Sequence, residues 1–567
     1  MRQKAVQIIK KALKELKVSF ESENIDEVIE IPKDYSMGDF AFPCFVAAKE
    51  LKMNPHEIAL ELRESIGTNK DFKEIQVAGP YLNFFIDKIN LATNLTKEII
   101  KSKGNFGKSN LGKNKKIMVE FPSPNTNKPL HLGHLRNISI GESISRISEA
   151  NGFKVFRTNL NNDRGIHICK SMAGYIKYAK NDQPTKERKG DHLVGDFYVK
   201  FNEKSKKDKE LEILSHRLLQ KYEEGDRETI QLWKTMNKWA LDGFKETYEK
   251  FGIKFNKEYF ESNLYQKGKE IIMDGLKKGI FEKDKEGAIK INLEKEKLGE
   301  KVLLRQDGTS IYITQDIYLA KLKMDEFKLD QSLYVVGNEQ EYHFNVLFSI
   351  LDKLGIGEKN KLKHISYGMV NLPEGKMKSR EGTVVDADDL IDKLQKLVKK
   401  ELSQRGKLSE KELEKRSLVI ALAAIKYFLL KVDLKKNMMF NPKESISFEG
   451  DTGPYLLYSY ARASSILRKA KKSEKIEIPK ELEEKEIELT KKLSEFPALN
   501  EKAYTTMNPA LIANYSKELS KIFNEFYHAC PVIGSENEGF RLDLIKSFRQ
   551  VIKNALNLLG IETLEEM

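Results

Sequence analysis

The sequence predicts a multidomain α/β protein: a parallel-sheet domain at the centre, a small α+β module before it and an all-helical domain after it. Three observations carry this. At 567 residues the chain is too long for one hydrophobic core. From Ile117 to Leu160 an apolar strand, a loop, a helix and a second strand follow one another at the spacing of a parallel crossover unit. Beyond about Lys411 no good strand is found, and long amphipathic helices run to the C-terminus.

Residues 1–95 read as helix, strand, helix, strand. The opening helix places Val6, Ile9, Leu13 and Leu16 on one face. It lacks the apolar core and cleavage site of a targeting peptide. VIEIP is expected as the first strand, Pro55–Ile66 as the second helix and IQVAGPYLNFFID as the second strand. Lys103–Lys116, rich in Gly, Asn and Lys, reads as a linker. In the central domain, residues 112–405, Ile117–Phe121 is a strand and the helix from about His131 to Ala150 carries Ile140, Ile144 and Ile147 on one face. Asn151-Gly152 stops that helix. Residues 180–260 are charged and helical and are expected as an insertion. Strands return at Leu333–Val336 and near His364–Met369. Residues 406–567 form the helical domain, beginning with an apolar helix at Arg416–Val432.

Hydrophobic residues make up 40% and charged residues 32%, which suits a soluble protein. No stretch reaches the roughly 20 apolar residues a bilayer span needs. Cys44, Cys169 and Cys530 lie far apart, give no metal-ligand spacing and favour a reducing compartment. The net charge of +13 is compatible with a nucleic-acid partner, although compositional drift alone could produce it.

The strongest chemical signal is His131-Leu132-Gly133-His134, where a strand's C-terminal loop meets a helix N-terminus. Open α/β sheets bind their ligands at such a place. Helix amides there favour phosphate, Gly133 lets a nucleotide approach the backbone, and two imidazoles can donate to phosphate oxygens. Either histidine alone would more often be structural. The second signal is Lys376-Met377-Lys378-Ser379-Arg380, framed by Gly375 and Gly382. A basic loop can offset charge on a triphosphate, whereas in isolation it reads as a solvated turn.

Together these motifs resemble the His-Ile-Gly-His and Lys-Met-Ser-Lys-Ser signatures of class I aminoacyl-tRNA synthetases. VEFPSPNTNKPLHLGHLRN, DGTSIYITQDI, YVVGNEQEYHF, FEGDTGPYLLYSYARASSILRK and the closing LGIETLEEM narrow the resemblance to the arginyl-tRNA synthetases, from about residue 20 to the end. The resemblance implies a Rossmann-like catalytic domain, a helical anticodon-binding domain and an N-terminal module that meets the tRNA elbow. It implies a cytoplasmic enzyme that joins arginine to tRNA with ATP, with Mg²⁺ on the ATP phosphates and no protein-bound metal. Monomer is the default expectation.

Residue by residue, the resemblance implies that His131, Gly133, His134, Lys376, Lys378 and Ser379 bind ATP. It implies that His131, His134, Lys128 and Lys376 act in catalysis. Ser379 stands where the class has lysine, and Lys128 occupies the place of its substitute. Tyr312 and Asp316 are implied to hold the arginine side chain, with Glu120, Asn125 and Gln340 completing the pocket. Carboxylates suit a guanidinium, which they bind in a bidentate manner. Tyr455, Tyr458 and Met567 are implied at the anticodon, with Asn83 and Phe84 as candidates at the elbow. Asp163, in NLNNDRG, stays unassigned.

Three rivals are weighed. A small-molecule adenylyltransferase would not need the helical domain or the N-terminal module. A catalytically silent RNA-binding paralogue would have no use for the intact motifs. A lysyl or cysteinyl class I enzyme is disfavoured by the two carboxylates and by the absence of a cysteine cluster.

Overall fold

The computed structural model describes residues 2–16, 22–32, 34, 37–69, 72–265, 267–309, 311–371, 385–406, 408–470 and 478–567. The chain divides into two compact units. One comprises Met1–Lys101, Lys472–Ser494 and Glu525–Ser547, the other Ser102–Lys471, Glu495–Asn524 and Phe548–Met567.

In the first unit the helix Arg2–Glu15 buries Val6, Ile9 and Leu13 in a core shared with Phe42, Leu82 and Phe84, and Leu16 packs against it. Asn54 caps the helix Pro55–Ile66 by accepting from the His56 amide, with proline at the first position where its missing N–H costs nothing. Two expectations are corrected. VIEIP contributes only a single bridge, Glu30 to Ala41, and the first strand is Phe40–Pro43. IQVAGPYLNFFID is a hairpin, Glu74–Ala78 paired with Tyr81–Phe85, because Gly79 adopts φ +58° and turns the chain at Gly79-Pro80.

The second unit is built on five parallel strands: β1 (Lys116–Glu120), β2 (Lys154–Asn161), β3 (Lys257–Phe260), β4 (Gln331–Gly337) and β5 (Leu362–Tyr367). Their order is β5-β4-β1-β2-β3, so the chain winds outward from β1 and then returns to β1's other side. The reversal opens a crevice beyond the C-terminal ends of β1 and β4, the usual ligand position in such sheets. Helix α1 (Leu132–Ala150) makes the crossover from β1 to β2. The charged insertion is helical as expected, with Gly190–Lys204 (α2) and Arg227–Phe251 (α3) among its helices. Its end is not an excursion, however, since β3 completes the sheet. A three-stranded antiparallel sheet spanning residues 282–304 likewise has no counterpart among the expected elements.

Helix α1 lies against the sheet and is buried on nearly every side, not on one isoleucine face. Ser139, Ser145 and Ser148 satisfy their hydroxyls on carbonyls one turn back, which permits polar residues in that interior. A side chain at Gly141 would collide with the Phe121 ring. Arg136 is wholly buried and donates to the carbonyls of Met369, Leu434 and Lys436, so one guanidinium ties the helix to two distant loops. Beside that clasp, Met438–Met439 forms a short parallel strand with Val370–Asn371, which corrects the expectation that strands cease after Lys411. The helical region begins at Glu410–Leu430, capped by Ser409. No described helix is long and apolar enough to cross a membrane.

Arg136→Met should destabilise the protein by about 3 kcal/mol, because one buried and two partly buried carbonyls lose a charged donor. Denaturant titration followed by tryptophan fluorescence checks this, and a loss below about 1 kcal/mol would show that the clasp is dispensable.

Candidate active site

A cavity of about 550 Å³ occupies the crevice where the sheet order reverses. One of its walls is the start of α1. His131 is the N-cap residue, in extended conformation, and its Nδ1 accepts from the Gly133 amide at 3.1 Å. The His134 Nδ1 accepts from the His131 amide, also at 3.1 Å, and the two rings lie 3.8 Å apart. Each Nδ1 is therefore an acceptor, and a neutral ring must carry its proton on Nε2. Burial, and next the nearby Lys128 charge, push His131 down to about 3. Burial, followed by His131 and Lys128, holds His134 well below the ordinary histidine range. Lys128 is itself lowered by burial. The result is two neutral Nε2–H donors at a helix N-terminus, a favourable place for an anion.

The opposite wall is acidic. Asp316 lies one turn after Tyr312 on the helix Tyr312–Phe327 (α4), as the spacing requires, and its Oδ2 lies 2.7 Å from His343 Nε2. Glu261 follows β3. Burial pushes Glu261 up to about 7, Arg164 opposing and the charges of Asp163 and Asp316 adding to the rise. Asp163, unassigned from sequence, fixes the turn that carries Glu261. Its carboxylate accepts from the Ser262 amide at 2.9 Å and from the Ser262 hydroxyl at 2.7 Å. Its carbonyl accepts from Trp233 Nε1 of α3.

Glu120, His131, Gly133, His134, Asp316 and Gln340 line the cavity, whereas Asn125, Lys128 and Tyr312 are not among its lining residues. Tyr312 is 76% exposed. Glu120 lines the cavity while held in a buried ion pair with Lys323 of α4. Lys323 also lies 5.0 Å from the centre of the Tyr334 ring. A sequence signal for Lys323 exists, as a lysine on the apolar face of α4 two turns beyond Asp316. Glu261, His343 and Tyr367 give no local sequence signal, since each owes its place to tertiary contact.

Lys376, Lys378 and Ser379 lie outside the described residues. In the helical region, the Tyr455 hydroxyl accepts from Asn524 at 2.9 Å, and the Arg462 guanidinium lies 4.8 Å from the centre of the Tyr458 ring. Both tyrosines are partly exposed, as is Met567 at the end of a tail held by Tyr460 and Arg468 on Glu565. Asn83 and Phe84 are buried in the first unit, Phe84 completely, so neither ring nor amide is displayed at the surface.

These features define a nucleotide-binding α/β catalytic domain of the class I aminoacyl-tRNA synthetase kind, and sequence comparison agrees. Residues 95–442 match the family described as tRNA synthetases class I (R), catalytic domain. Residues 456–567 match the DALR anticodon binding domain, and residues 3–86 the arginyl tRNA synthetase N terminal domain. The chain is 48% identical to an arginine–tRNA ligase of Treponema denticola over 95% of its own length and 94% of the relative's. It is 45% identical to that of Borrelia duttonii, covering 99% and 98%. The fold is shared with Thermus thermophilus arginyl-tRNA synthetase at a TM-score of 0.80, 24% identity and full coverage of both chains. The chain belongs to the arginyl-tRNA synthetase family.

His131 should show no imidazole titration between pH 5 and 8 when followed by NMR of its ring proton. Its folded pKa lies below the unfolded value, so the unfolded state binds more protons between about pH 3 and 6.5. Stability should therefore fall as pH drops through that window, and His131→Asn should flatten the slope.

Proposed function

We propose that the chain activates L-arginine with ATP and transfers it to the terminal adenosine of tRNA(Arg), releasing pyrophosphate and AMP. The observation that carries this is the pairing, across one cavity, of two neutral Nε2–H donors with the Asp316 carboxylate on the other side. The donors suit phosphate oxygens. The acidic side suits a planar, permanently charged guanidinium.

In the first step an arginine carboxylate oxygen attacks the α-phosphorus, and the bond to the β-phosphate oxygen breaks. No protein nucleophile is required, so the rate comes from placement and charge stabilisation. His131 and His134 would donate to the oxygens of the five-coordinate phosphorus, with Gly133 leaving space for the nucleotide. Lys128 would contribute positive charge beside them, and the resemblance assigns Lys376, Lys378 and Ser379 to the pyrophosphate side. Mg²⁺, travelling with ATP, would neutralise the polyphosphate. In the second step the terminal ribose hydroxyl attacks the activated carbonyl, loses its proton and displaces AMP.

Asp316 takes the guanidinium, steadied by His343, and the charge of Glu261 adds to the acidic field behind it. Tyr312 closes over the bound side chain, Gln340 and Asn125 reach the α-amino end, and Glu120 acts there as part of its ion pair with Lys323. At the far end, Tyr455 and Tyr458 offer rings for stacking on unpaired anticodon bases, with Met567 beside them. Domain limits of 1–95, 112–405 and 406–567 fit these three roles.

The direct test is ATP–pyrophosphate exchange with arginine, lysine or cysteine, with and without tRNA. Exchange with arginine alone supports the reading, and no exchange with any amino acid despite bound tRNA would overturn it in favour of a silent RNA-binding paralogue. Asp316→Asn should lower kcat/KM for arginine by about 10²- to 10³-fold, the effect of removing one partner of a desolvated charge pair. Arginine affinity should rise as pH increases through about 7, where Glu261 of the empty site ionises. Calorimetry in buffers of different ionisation enthalpy should detect proton release at that pH, and Glu261→Gln should abolish it.

A further inference from the structure

Helix α2, part of the insertion, touches both chain segments that flank His131. On one side it carries Gly195, where a Cβ would lie 2.6 Å from Pro129 Cδ and 3.4 Å from Lys128 Cα. Bare helix backbone therefore abuts the two residues that enter the motif. On the other side Lys189, the N-cap residue of α2, donates from Nζ to Asp388 Oδ2 at 2.5 Å and to Thr247 Oγ1 at 2.7 Å. His192 Nε2 lies 3.4 Å from the same carboxylate oxygen. Lys189 and Asp388 have side chains only 18% and 14% exposed, so their attraction is weakly screened.

Asp388 stands in the first turn of the helix Ala387–Arg405 (α5). The backbone at the start of α5 is paired with the motif itself. The Leu132 amide donates to the Val385 carbonyl, and the Ala387 amide to the Leu130 carbonyl, both at 3.0 Å. His131 and Asp386 thus form an antiparallel bridge. A displacement of Asp388 passes to residues 385–387 and from them to residues 130–132 through main-chain hydrogen bonds. Helix α3 backs the arrangement: a side chain at Gly243 would collide with the buried Asp191 carboxylate, and one at Gly190 with the Trp239 carbonyl. Two helices in that degree of contact move together or not at all.

We infer that α2 is a brace that sets the position of Lys128 and of the His131 backbone, with Lys189, Gly195 and Asp388 as positioning residues for the phosphate end of the ATP site. This rests on the arginine-activating reading above and extends it to residues outside the cavity lining. None of the three touches a reacting atom in this arrangement, so their influence is on placement. An error of about 1 Å at a reacting centre costs on the order of 10²-fold in rate.

Gly195→Ala is the decisive variant. Alanine is the better helix former, so the helix itself gains, while the new methyl must displace Pro129 or α2. Arginine-dependent pyrophosphate exchange should show kcat reduced about 30-fold, with KM for arginine within about twofold of wild type and Tm lowered by only a few degrees, since helix propensity offsets part of the overpacking. Lys189→Met should reproduce the kcat loss, and Lys189→Arg should restore most of it. Wild-type kcat in Gly195→Ala, or equal damage to the arginine KM, would overturn the brace while leaving the arginine reading intact. A wild-type chain inactive with arginine would overturn both. Should Lys189→Met fail to fold, Gly195→Ala alone decides.

Discussion

The burial of helix α1 on nearly every side is the constraint from which the rest of the catalytic unit follows. A helix buried this far must find partners for most of its polar groups inside the protein, because each unpaired buried group costs roughly 1–3 kcal/mol. Ser139, Ser145 and Ser148 answer themselves by bonding to carbonyls one turn back, and Ser143 donates to the Leu558 carbonyl. Arg136 is answered by three carbonyls from loops more than 230 residues away in sequence. Asn137 donates to the Val335 carbonyl and the Tyr367 hydroxyl. The helix is thus the hub through which β4, β5 and the loop near Leu434 acquire fixed positions, and its N-terminus is where the phosphates are proposed to lie.

Charge at the site is arranged by the same economy. The two histidines are kept neutral by burial and oriented by accepting main-chain hydrogens, so they hold their donors without carrying charge. Glu120 and Lys323 cancel one another deep in the floor. The negative charge facing the cavity is left to Asp316, beside His343, with Glu261 coupled to it from outside the lining. Burial first, and then repulsion from Asp163 and Asp316, raises Glu261, and a bound guanidinium would relieve that repulsion. The acidic wall proposed to receive the guanidinium would favour a cation over a neutral isostere, which would leave a carboxylate unpaired.

Much of the fold is legible in the chain. The crossover from β1 to β2, the helix between them and the helical character of the insertion all follow from local apolar periodicity and capping chemistry, which act within a few residues. The hairpin at Gly79-Pro80 is present as a turn dipeptide, although the apolar runs on either side of it read as one continuous strand. The strand β3 and the pair Met438–Met439 with Val370–Asn371 are not legible, because short strands owe their existence to partners distant in sequence. The one-sided reading of α1 fails for a related reason: serine counts as polar by composition, yet is tolerated inside when its hydroxyl bonds back to its own helix.

What the sequence by itself determined is the chemistry of the motifs. The paired histidines around Gly133, and Asp316 one turn beyond Tyr312, are local patterns whose geometry a strand end or a single helix imposes. What only the tertiary structure decided is which charges remain available. Glu120 is neutralised by a lysine 203 positions away. Glu261 is coupled to Asp316 while Asp163 holds the turn at Ser262, and Lys128 and Pro129 are flanked by an insertion helix that approaches them through a glycine. Coulombic coupling and close packing depend on distance in space, which a linear chain does not record until it has folded.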